Sequence, residues 1–246
     1  MRFAGLTALD GVSLSASPGQ VMGVIGPNGA GKTTLFNVIC GFVRAQTGTI
    51  SWRGEALRRI RPHQLVRQGI ARTAQGVRLF PHLSALENVM VGADHLHHPG
   101  LASAFLGLPR SDRAERALRS AAAEALEQVG AGEVSSQPAA SLPYPVQKRV
   151  SLARALAAKP SLLLLDEPAG GLGGDEVAEL GELLRGLDKS MTVMLVEHRM
   201  DLVMSVCDHV AVLDSGRLIA GGPPAQVQSD PRVLEAYLGT EEAGVA

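Results

Sequence analysis

The chain has 246 residues, a formal net charge of −1 and 46% hydrophobic residues, of which few are aromatic. This length suits one large α/β domain or a core with a subdomain, and the near-neutral charge argues against wholesale nucleic-acid binding. No apolar run approaches the roughly 20 residues of a membrane span and Met1 opens no secretion signal, so we expect a cytosolic chain. Cys40 and Cys207 are predicted to be small core residues rather than a disulfide.

The first 25 residues alternate polar and apolar side chains, which predicts an antiparallel β flap. This flap leads into an apolar, β-branched run at residues 21–25 that is typical of a buried strand. The other elements predicted before residue 92 are a strand at 49–52, a helix at 62–69, a strand at 70–73 and a helix from the Ser84–Glu87 capping box to Met90.

Residues 93–111 are predicted to be irregular, and they include a cluster of three histidines, His95, His97 and His98. A solvated loop is favoured over a metal site there, because no cysteine or carboxylate cluster completes the ligand set. Beyond this segment, the predicted elements are helices at 111–129, 146–158, 176–187 and 200–206 and from Pro231 onward, and strands at 162–165, 191–196, 209–213 and 217–220. The alternation predicts a mostly parallel sheet wrapped by helices, with a helical insert.

The most informative stretch is Gly26-Pro27-Asn28-Gly29-Ala30-Gly31-Lys32-Thr33-Thr34, which fits the pattern G-x-x-x-x-G-K-[ST]. Its glycines let successive backbone N–H groups converge on phosphate oxygens, and the helix that follows points its positive end at the same anion. Lys32 is predicted to reach the β- and γ-phosphates, and the Thr33 hydroxyl to ligate Mg²⁺. We therefore expect residues 26–34 to bind ATP with Mg²⁺, since a predicted strand before the loop and a helix after it argue against a chance match.

A second stretch, the apolar strand 162–165, ends in Asp166 and Glu167. A buried strand with this ending places both carboxylates at the C-terminal edge of the sheet, beside the phosphate-binding loop. Asp166 suits Mg²⁺ held through its water shell, and Glu167 suits polarisation of the attacking water. The alternative, a helix cap after a core strand, would be favoured if the phosphate-binding loop were absent.

With both stretches in place, the chain resembles the ATP-binding subunits of ABC transporters over essentially its full length. It is most similar to the ATPases of branched-chain amino-acid importers, on residues 1–3, 71–80 and 229–239. The resemblance implies an α/β fold, namely a P-loop NTPase (RecA-like) core with a mostly parallel sheet, an N-terminal antiparallel β flap and an α-helical subdomain.

The resemblance also implies a division of the chain and further site residues. Residues 1–82 and 151–246 would form the nucleotide-binding core, and residues 83–150 the helical subdomain that carries the signature region. The resemblance makes Phe3 the aromatic residue that stacks on adenine, and His198 a switch residue that contacts the γ-phosphate. Gln75 would head a loop that senses the γ-phosphate and faces the membrane subunit. The predicted catalytic residues are Glu167, His198 and Gln75, and the predicted Mg²⁺ ligands are Thr33, Gln75 and Asp166.

The chain departs from the family at the residues that it would offer to a partner cassette. Such ATPases work as head-to-tail dimers, in which each nucleotide lies against the partner's signature loop, commonly Leu-Ser-x-Gly-Gln. Here the segment Leu142-Pro143-Tyr144-Pro145-Val146-Gln147 has Pro143 in place of the serine and Pro145, which lacks an N–H, in place of the glycine. Gly173 likewise stands where the family places Asp or Asn. We therefore predict a heterodimer with a second ATP-binding subunit that has an ordinary signature.

The resemblance implies an ATP-hydrolysing subunit at the cytoplasmic face of the cell membrane. It would power import of branched-chain amino acids or related small solutes through integral membrane permease subunits, served indirectly by an external solute-binding protein. The alternative, which the altered signature favours, is a nucleotide-dependent regulatory or assembly subunit with little turnover. A third hypothesis, an ABC ATPase that acts on DNA or ribosomes, is disfavoured by the single ATPase core and the near-neutral charge, so no nucleic-acid partner is predicted.

Overall fold

The computed structural model describes residues 1–3, 6–57, 60–73, 75–93, 109–187 and 189–242. These residues form two compact units, one made of residues 1–65 and 164–246 and the other of residues 66–163. The predicted functional division at residues 82 and 150 stays a prediction. The three histidines of the predicted loop, His95, His97 and His98, lie outside the described residues.

The described strands alternate with helices through most of the chain, as the sequence pattern predicts. The strands are β1 Arg2–Phe3, β2 Leu6–Thr7, β3 Val21–Ile25, β4 Ser51–Trp52, β5 Glu55–Ala56, β6 Ile70–Arg72, β7 Leu162–Asp166, β8 Thr192–Val196, β9 His209–Asp214 and β10 Arg217–Gly222. The helices are α1 Lys32–Ile39, α2 Ala85–Ala93, α3 Pro109–Gln128, α4 Tyr144–Leu156, α5 Gly174–Arg185, α6 Met200–Val206, α7 Pro224–Gln228 and α8 Pro231–Glu242.

One six-stranded sheet organises the fold, with the strand order β10-β9-β3-β8-β7-β6. Strand β3 runs parallel to β8 on one side and to β9 on the other, whereas β10 returns antiparallel to β9 as the predicted hairpin. Strands β7 and β8 are buried along their whole length, which explains their continuous apolar sequences. The predicted α/β class with a mostly parallel sheet is confirmed by this arrangement.

Several element boundaries differ from the prediction. The segment 62–69, predicted to be one helix, forms two 3₁₀ turns, Pro62–Gln64 and Val66–Gln68. The stretch from its proline to its glycine is too short to offset the cost of nucleating an α-helix. The N-terminal flap is limited to the antiparallel pair β1 and β2. Helix α3 starts at Pro109, so the end of the segment predicted to be irregular is helical.

Three helices, α2, α3 and α4, pack together in the unit 66–163. The predicted capping box starts α2, because the Ser84 N–H donates to Glu87 Oε2 at 2.8 Å and the Glu87 N–H donates to Ser84 Oγ at 3.2 Å. The hydrogen bond from the Ser84 backbone lowers the pKa of the exposed Glu87 carboxyl below its ordinary value. This part of the sequence prediction is confirmed.

Asn88 is a fully buried side chain of α2 that organises the segment leading into the helix. Its Nδ2 donates to the carbonyls of Phe80, Leu83 and Ser84 at 3.0–3.2 Å, and its Oδ1 accepts the Phe80 N–H at 2.7 Å. We expect Asn88→Ala to lower the free energy of unfolding by about 1–3 kcal/mol, because buried backbone groups lose their partners. Urea denaturation checks this, with Gln128→Ala at the exposed end of α3 as the control that should stay within about 0.5 kcal/mol of the parent.

The cysteines and the helices also bear on two expectations from composition. Cys40 and Cys207 are both buried and form no disulfide, so the prediction of small core residues is confirmed. Burial raises the pKa of the Cys207 thiol to about 12, which keeps it protonated and inert near neutral pH. In the described part of the chain, none of the helices combines the length and apolarity needed to cross a bilayer.

Candidate functional site

The stretch 26–34, predicted to bind phosphate and here called the phosphate-binding loop, spans the turn after β3 and the first residues of α1. Lys32, the first residue of α1, is buried, and its Nζ donates to the carbonyls of Gly26 at 2.6 Å and Pro27 at 2.8 Å. These bonds hold the ammonium group against the turn of the loop. The first turn of α1 contains no acidic residue and no side chain caps it. A helix end of this kind favours an anion over a cation.

Two glycines of the loop are required by their surroundings. Gly26 has φ +147° and Gly31 has φ +103°, conformations that other residues rarely adopt. A Cβ atom on Gly26 would lie 2.0 Å from the Leu213 carbonyl oxygen, and one on Gly31 would lie 2.4 Å from the Ala8 carbonyl oxygen. The loop therefore lies against the backbone of its neighbours, and any side chain at these two positions would push it out of place.

The turn of the β9–β10 hairpin supports this loop, and the Tyr237 side chain of helix α8 lies near it; neither neighbour was predicted from the sequence. The Gly216 N–H, in the turn of the hairpin, donates to the Ala30 carbonyl at 3.1 Å. Burial raises the pKa of the Tyr237 hydroxyl on α8, and the neighbouring backbone of Gly26 opposes that rise. No local motif marks Gly216 or Tyr237 as part of the site, since both act only through the folded chain.

The ends of three strands meet at one edge of the sheet. The Glu197 N–H, just after β8, donates to the Val24 carbonyl of β3 at 3.3 Å. The Glu167 N–H, just after β7, donates to the Val196 carbonyl at the end of β8 at 2.9 Å. The phosphate-binding loop, the acidic residues after β7 and the His198 segment after β8 therefore lie at the same edge, which is where ligands bind in open parallel sheets.

The acidic pair at the end of β7 is divided between the core and this edge. Asp166 is buried, whereas Glu167 is half-buried and has φ +50°, in the left-handed region. Such strain in a residue other than glycine is often found at functional sites. Burial lowers the pKa of the Lys32 ammonium, and the charge of Glu167 opposes that shift, which places the two side chains in the same electrostatic environment. The structure thus brings together the two stretches that the sequence singled out.

The described residues fit ATP with Mg²⁺ by the chemistry of their donors. No group of three or more His, Cys, Asp or Glu side chains within the described ranges is arranged as a metal cage. Mg²⁺ does not need such a cage, because it is commonly held by one or two protein oxygens, water and the phosphates of its nucleotide. The Thr33 hydroxyl and the Asp166 carboxylate, which follow β3 and end β7, could supply those oxygens.

The other predicted site residues, His198, Phe3 and Gln75, lie in three separate segments of the chain. His198 is exposed, just after β8, and its Nδ1 lies 3.8 Å from Glu197 Oε2. Phe3 lies in β1. Gln75 is exposed and belongs to the unit 66–163, where Arg154 Nη1 donates to the Arg78 carbonyl at 2.8 Å and so ties the segment after Gln75 to α4. The roles predicted for His198, Phe3 and Gln75 stay predictions.

The altered signature segment belongs to the same unit and forms the start of α4. Pro143 is the N-cap, and no side chain caps the helix. Because the first helical positions tolerate proline, α4 begins at Tyr144, two residues before the predicted start. Gln147 stabilises the turn, since its N–H donates to the Pro143 carbonyl at 3.0 Å and its Nε2 donates to the Leu142 carbonyl at 2.8 Å. The two prolines are thus compatible with a regular helix end that lacks a serine hydroxyl.

Comparisons with known proteins identify the family to which this chain is similar. The family model described as ABC transporter matches residues 9–170, and the one described as branched-chain amino acid ATP-binding cassette transporter matches residues 217–243. The high-affinity branched-chain amino acid transport ATP-binding protein BraF of Pseudomonas aeruginosa is 41% identical over 242 residues, which cover 97% of this chain and 94% of BraF. The corresponding protein LivG of Escherichia coli K12 is 40% identical over 241 residues, with the same coverage.

Solved structures give the same result. A nucleotide-free ATP-binding cassette from an ABC transporter has a TM-score of 0.83 and 32% identity, over 96% of this chain and 95% of that one. A cassette in its ADP conformation has a TM-score of 0.82 and 32% identity, over 97% and 95% of the two chains. The similarity therefore extends along nearly the whole chain, beyond the phosphate-binding loop.

Proposed function

The chain belongs to the ABC transporter family and is an ATPase of that family. We propose that it powers uptake of branched-chain amino acids or related small solutes. The observation that carries the proposal is the continuous similarity to BraF and LivG, including the C-terminal segment 217–243. The permease, rather than the ATPase, would select the solute.

We propose that MgATP binds along residues 26–34, with Lys32 at the β- and γ-phosphates and Thr33 and Asp166 as protein ligands of Mg²⁺. Glu167 would polarise the attacking water, and His198 would contact the γ-phosphate from the end of the neighbouring strand. Phe3 would stack on adenine. The support is that the charge of Glu167 acts on the Lys32 ammonium and that the ends of β3, β7 and β8 are joined by hydrogen bonds.

Gln75 is proposed to link the nucleotide to the membrane subunits, and to ligate Mg²⁺ when the site is complete. Its exposure and the support of the following segment by Arg154 suit a loop that contacts a partner. The chain would thus work as a peripheral subunit at the cytoplasmic face of the membrane. Its partners would be integral permease subunits and, indirectly, an external solute-binding protein.

Reconstituted transport tests this function. The complex that co-purifies with the tagged chain should take up radiolabelled leucine, isoleucine or valine into proteoliposomes that also contain the solute-binding protein, and only when MgATP is supplied on the ATPase side. ATP-dependent movement of leucine in the opposite direction would contradict the proposed import. If the complex hydrolyses ATP but takes up none of these amino acids, the proposed solute class is contradicted.

The signature segment leads to a prediction about assembly. Pro143 and Pro145 remove a hydroxyl and an N–H from the end of α4 that would face a partner's nucleotide. Since a hydrogen bond to a charged group contributes about 1.5–3 kcal/mol, a homodimer would have two weakened sites. We expect the isolated chain to hydrolyse ATP slowly, and the double variant Pro143→Ser with Pro145→Gly to hydrolyse it faster. Steady-state phosphate release measures both.

The matched control is Pro231→Ser at the exposed start of α8, which should leave the rate unchanged. Rapid turnover by the unaltered chain alone would contradict the proposed heterodimer. The alternative of a regulatory subunit with little turnover is less well supported, because the relatives are described as ATP-binding proteins of branched-chain amino acid transport. It would gain support only if the complete complex hydrolysed ATP equally well with Glu167 replaced.

A further inference from the structure

Glu197 is a buried carboxylate that the predicted mechanism does not use. It follows β8 directly, its side chain is fully buried, and its two oxygens accept hydrogen bonds from two different segments of the chain. Oε1 accepts the Ala169 N–H at 2.7 Å, whereas Oε2 accepts the N–H groups of His198 at 2.8 Å and Arg199 at 3.1 Å. These backbone donors compensate the buried carboxyl group for the loss of its hydrogen bonds to water.

The two sets of donors belong to different loops. Ala169 is two residues after Glu167, in the loop between β7 and α5, whereas His198 and Arg199 lie in the segment between β8 and α6. A second contact joins the same loops, because Arg199 Nη1 donates to the Leu172 carbonyl at 3.4 Å. The Arg199 guanidinium is itself held by two hydrogen bonds to the Asp201 carboxylate, at 3.1 and 2.6 Å.

We infer that Glu197 is a positioning residue for ATP hydrolysis, because it holds the loop after Glu167 and the loop that carries His198 in one fixed arrangement. This inference rests on the proposed function of Glu167 and His198. Glu197 does not itself reach the nucleotide in this role, since its carboxylate is enclosed by backbone N–H groups. It acts through the two residues whose backbones it ties together.

A carboxylate is the side chain that these contacts require. Both of its oxygens accept hydrogen bonds, so it can receive the Ala169 N–H on one side and the N–H groups of His198 and Arg199 on the other. A glutamine has the same shape but only one acceptor oxygen, and its amide nitrogen would face an N–H group. Glu197→Gln therefore breaks the connection to one of the loops while it keeps the volume of the side chain.

The connection affects the rate of ATP hydrolysis because each loop adjoins a residue with a proposed role in the reaction. Glu167 is fixed to the end of β8 by its N–H bond to the Val196 carbonyl, and His198 directly follows Glu197. A change at Glu197 therefore shifts the water-polarising carboxylate relative to the γ-phosphate contact. The phosphate-binding loop is held separately, through Lys32 and the β9–β10 hairpin, so nucleotide affinity should change little.

The test compares Glu197→Gln with Glu182→Gln, a control at an exposed carboxylate of α5 that pairs with Arg185. ATPase kinetics are measured on the complex isolated through a tag on this chain, and the dissociation constant of MgATP on the full chain. We expect Glu197→Gln to lower kcat by about 10- to 100-fold, because small misplacements of catalytic groups have effects of this size. The dissociation constant should stay within about twofold, as expected for a loss confined to the chemical step.

Amide hydrogen exchange provides an independent readout. In the unaltered chain, the amides of Ala169, His198 and Arg199 should be protected from exchange. In Glu197→Gln their exchange should accelerate, while the amides of β8 remain protected. An unchanged kcat, or unprotected amides at these three positions in the unaltered chain, would overturn the inference. Parallel losses of kcat, MgATP affinity and β8 protection would also overturn it, since they indicate general destabilisation.

Failure of the proposed function would be recognised separately. If the unaltered complex hydrolyses no ATP, the proposed function is contradicted, and the exchange measurement still decides whether Glu197 holds the two loops together. If Glu197→Gln does not fold, the amide exchange of the unaltered chain still tests whether Glu197 holds the two loops together. The variant Glu197→Asp then tests the link to catalysis, because it keeps two acceptor oxygens but is one methylene shorter and cannot reach the donors of both loops. It should lower kcat with little change in MgATP affinity, and an unchanged kcat would overturn the inference.

Discussion

Replacement of Glu167 by glutamine should lower the kcat for ATP hydrolysis by about 10²–10⁴-fold, the usual contribution of a well-placed general base. Glutamine keeps the size of the side chain but cannot accept the proton of the attacking water. The backbone of residue 167 should keep its left-handed conformation and its hydrogen bond to the Val196 carbonyl, because neither involves the carboxylate. The loss should therefore fall on the chemical step.

Phosphate release by the complete transporter measures this effect, and equilibrium titration with MgATP measures binding. We expect the dissociation constant of MgATP to stay equal to that of the parent or to fall slightly, since removal of a negative charge beside the phosphates reduces repulsion. Glu182→Gln on the exposed face of α5 should leave both quantities unchanged. A Glu167→Gln variant that still turns over at the parental rate would remove Glu167 from the proposed mechanism.

Replacement of Lys32 by alanine should weaken MgATP binding by about 10- to 100-fold. The substitution removes the ammonium group that is proposed to contact the β- and γ-phosphates, and a hydrogen bond to a charged group contributes about 1.5–3 kcal/mol. It also deletes the two hydrogen bonds from Nζ to the carbonyls of Gly26 and Pro27, so the loop loses an internal support. Both effects reduce affinity, in contrast to the effect of Glu167→Gln.

Titration with a fluorescent ATP analogue in the presence of Mg²⁺ measures the change. Lys159→Ala is the matched control, because that lysine is exposed and its ammonium group lies 4.0 Å from Glu124. It should bind MgATP as tightly as the parent. An unaltered affinity in Lys32→Ala would mean that the nucleotide binds elsewhere on the chain, and the assignment of residues 26–34 would then fail.

The residues with a local signature were predictable from the sequence. The phosphate-binding loop carries its glycines, its lysine and its threonine within nine consecutive positions, and the structure places it between a strand and a helix as expected. The capping box at Ser84 was equally local, because its two hydrogen bonds join residues three apart. In both cases the interacting groups are close in the chain, so their spacing carries the information.

The short elements and boundaries were less predictable. The pattern at 62–69 indicated one helix, but so few residues cannot offset the cost of nucleation and they settle into two 3₁₀ turns. Helix α7 at Pro224–Gln228 was missed because five residues contain too little periodicity to recognise. Helix α4 begins at Tyr144 rather than Val146, since proline is well accommodated at the first positions of a helix.

By itself, the sequence determined the class of fold, the glycine-rich loop before α1 and the acidic end of β7, because each depends on residues that are neighbours in the chain. The tertiary structure alone decided which groups support them. Glu197 meets Ala169 across 28 positions, and Gly216 meets Ala30 from the far end of the chain. Such contacts depend on how strands are ordered in the sheet, and the spacing of residues along one chain does not encode that order in any local pattern.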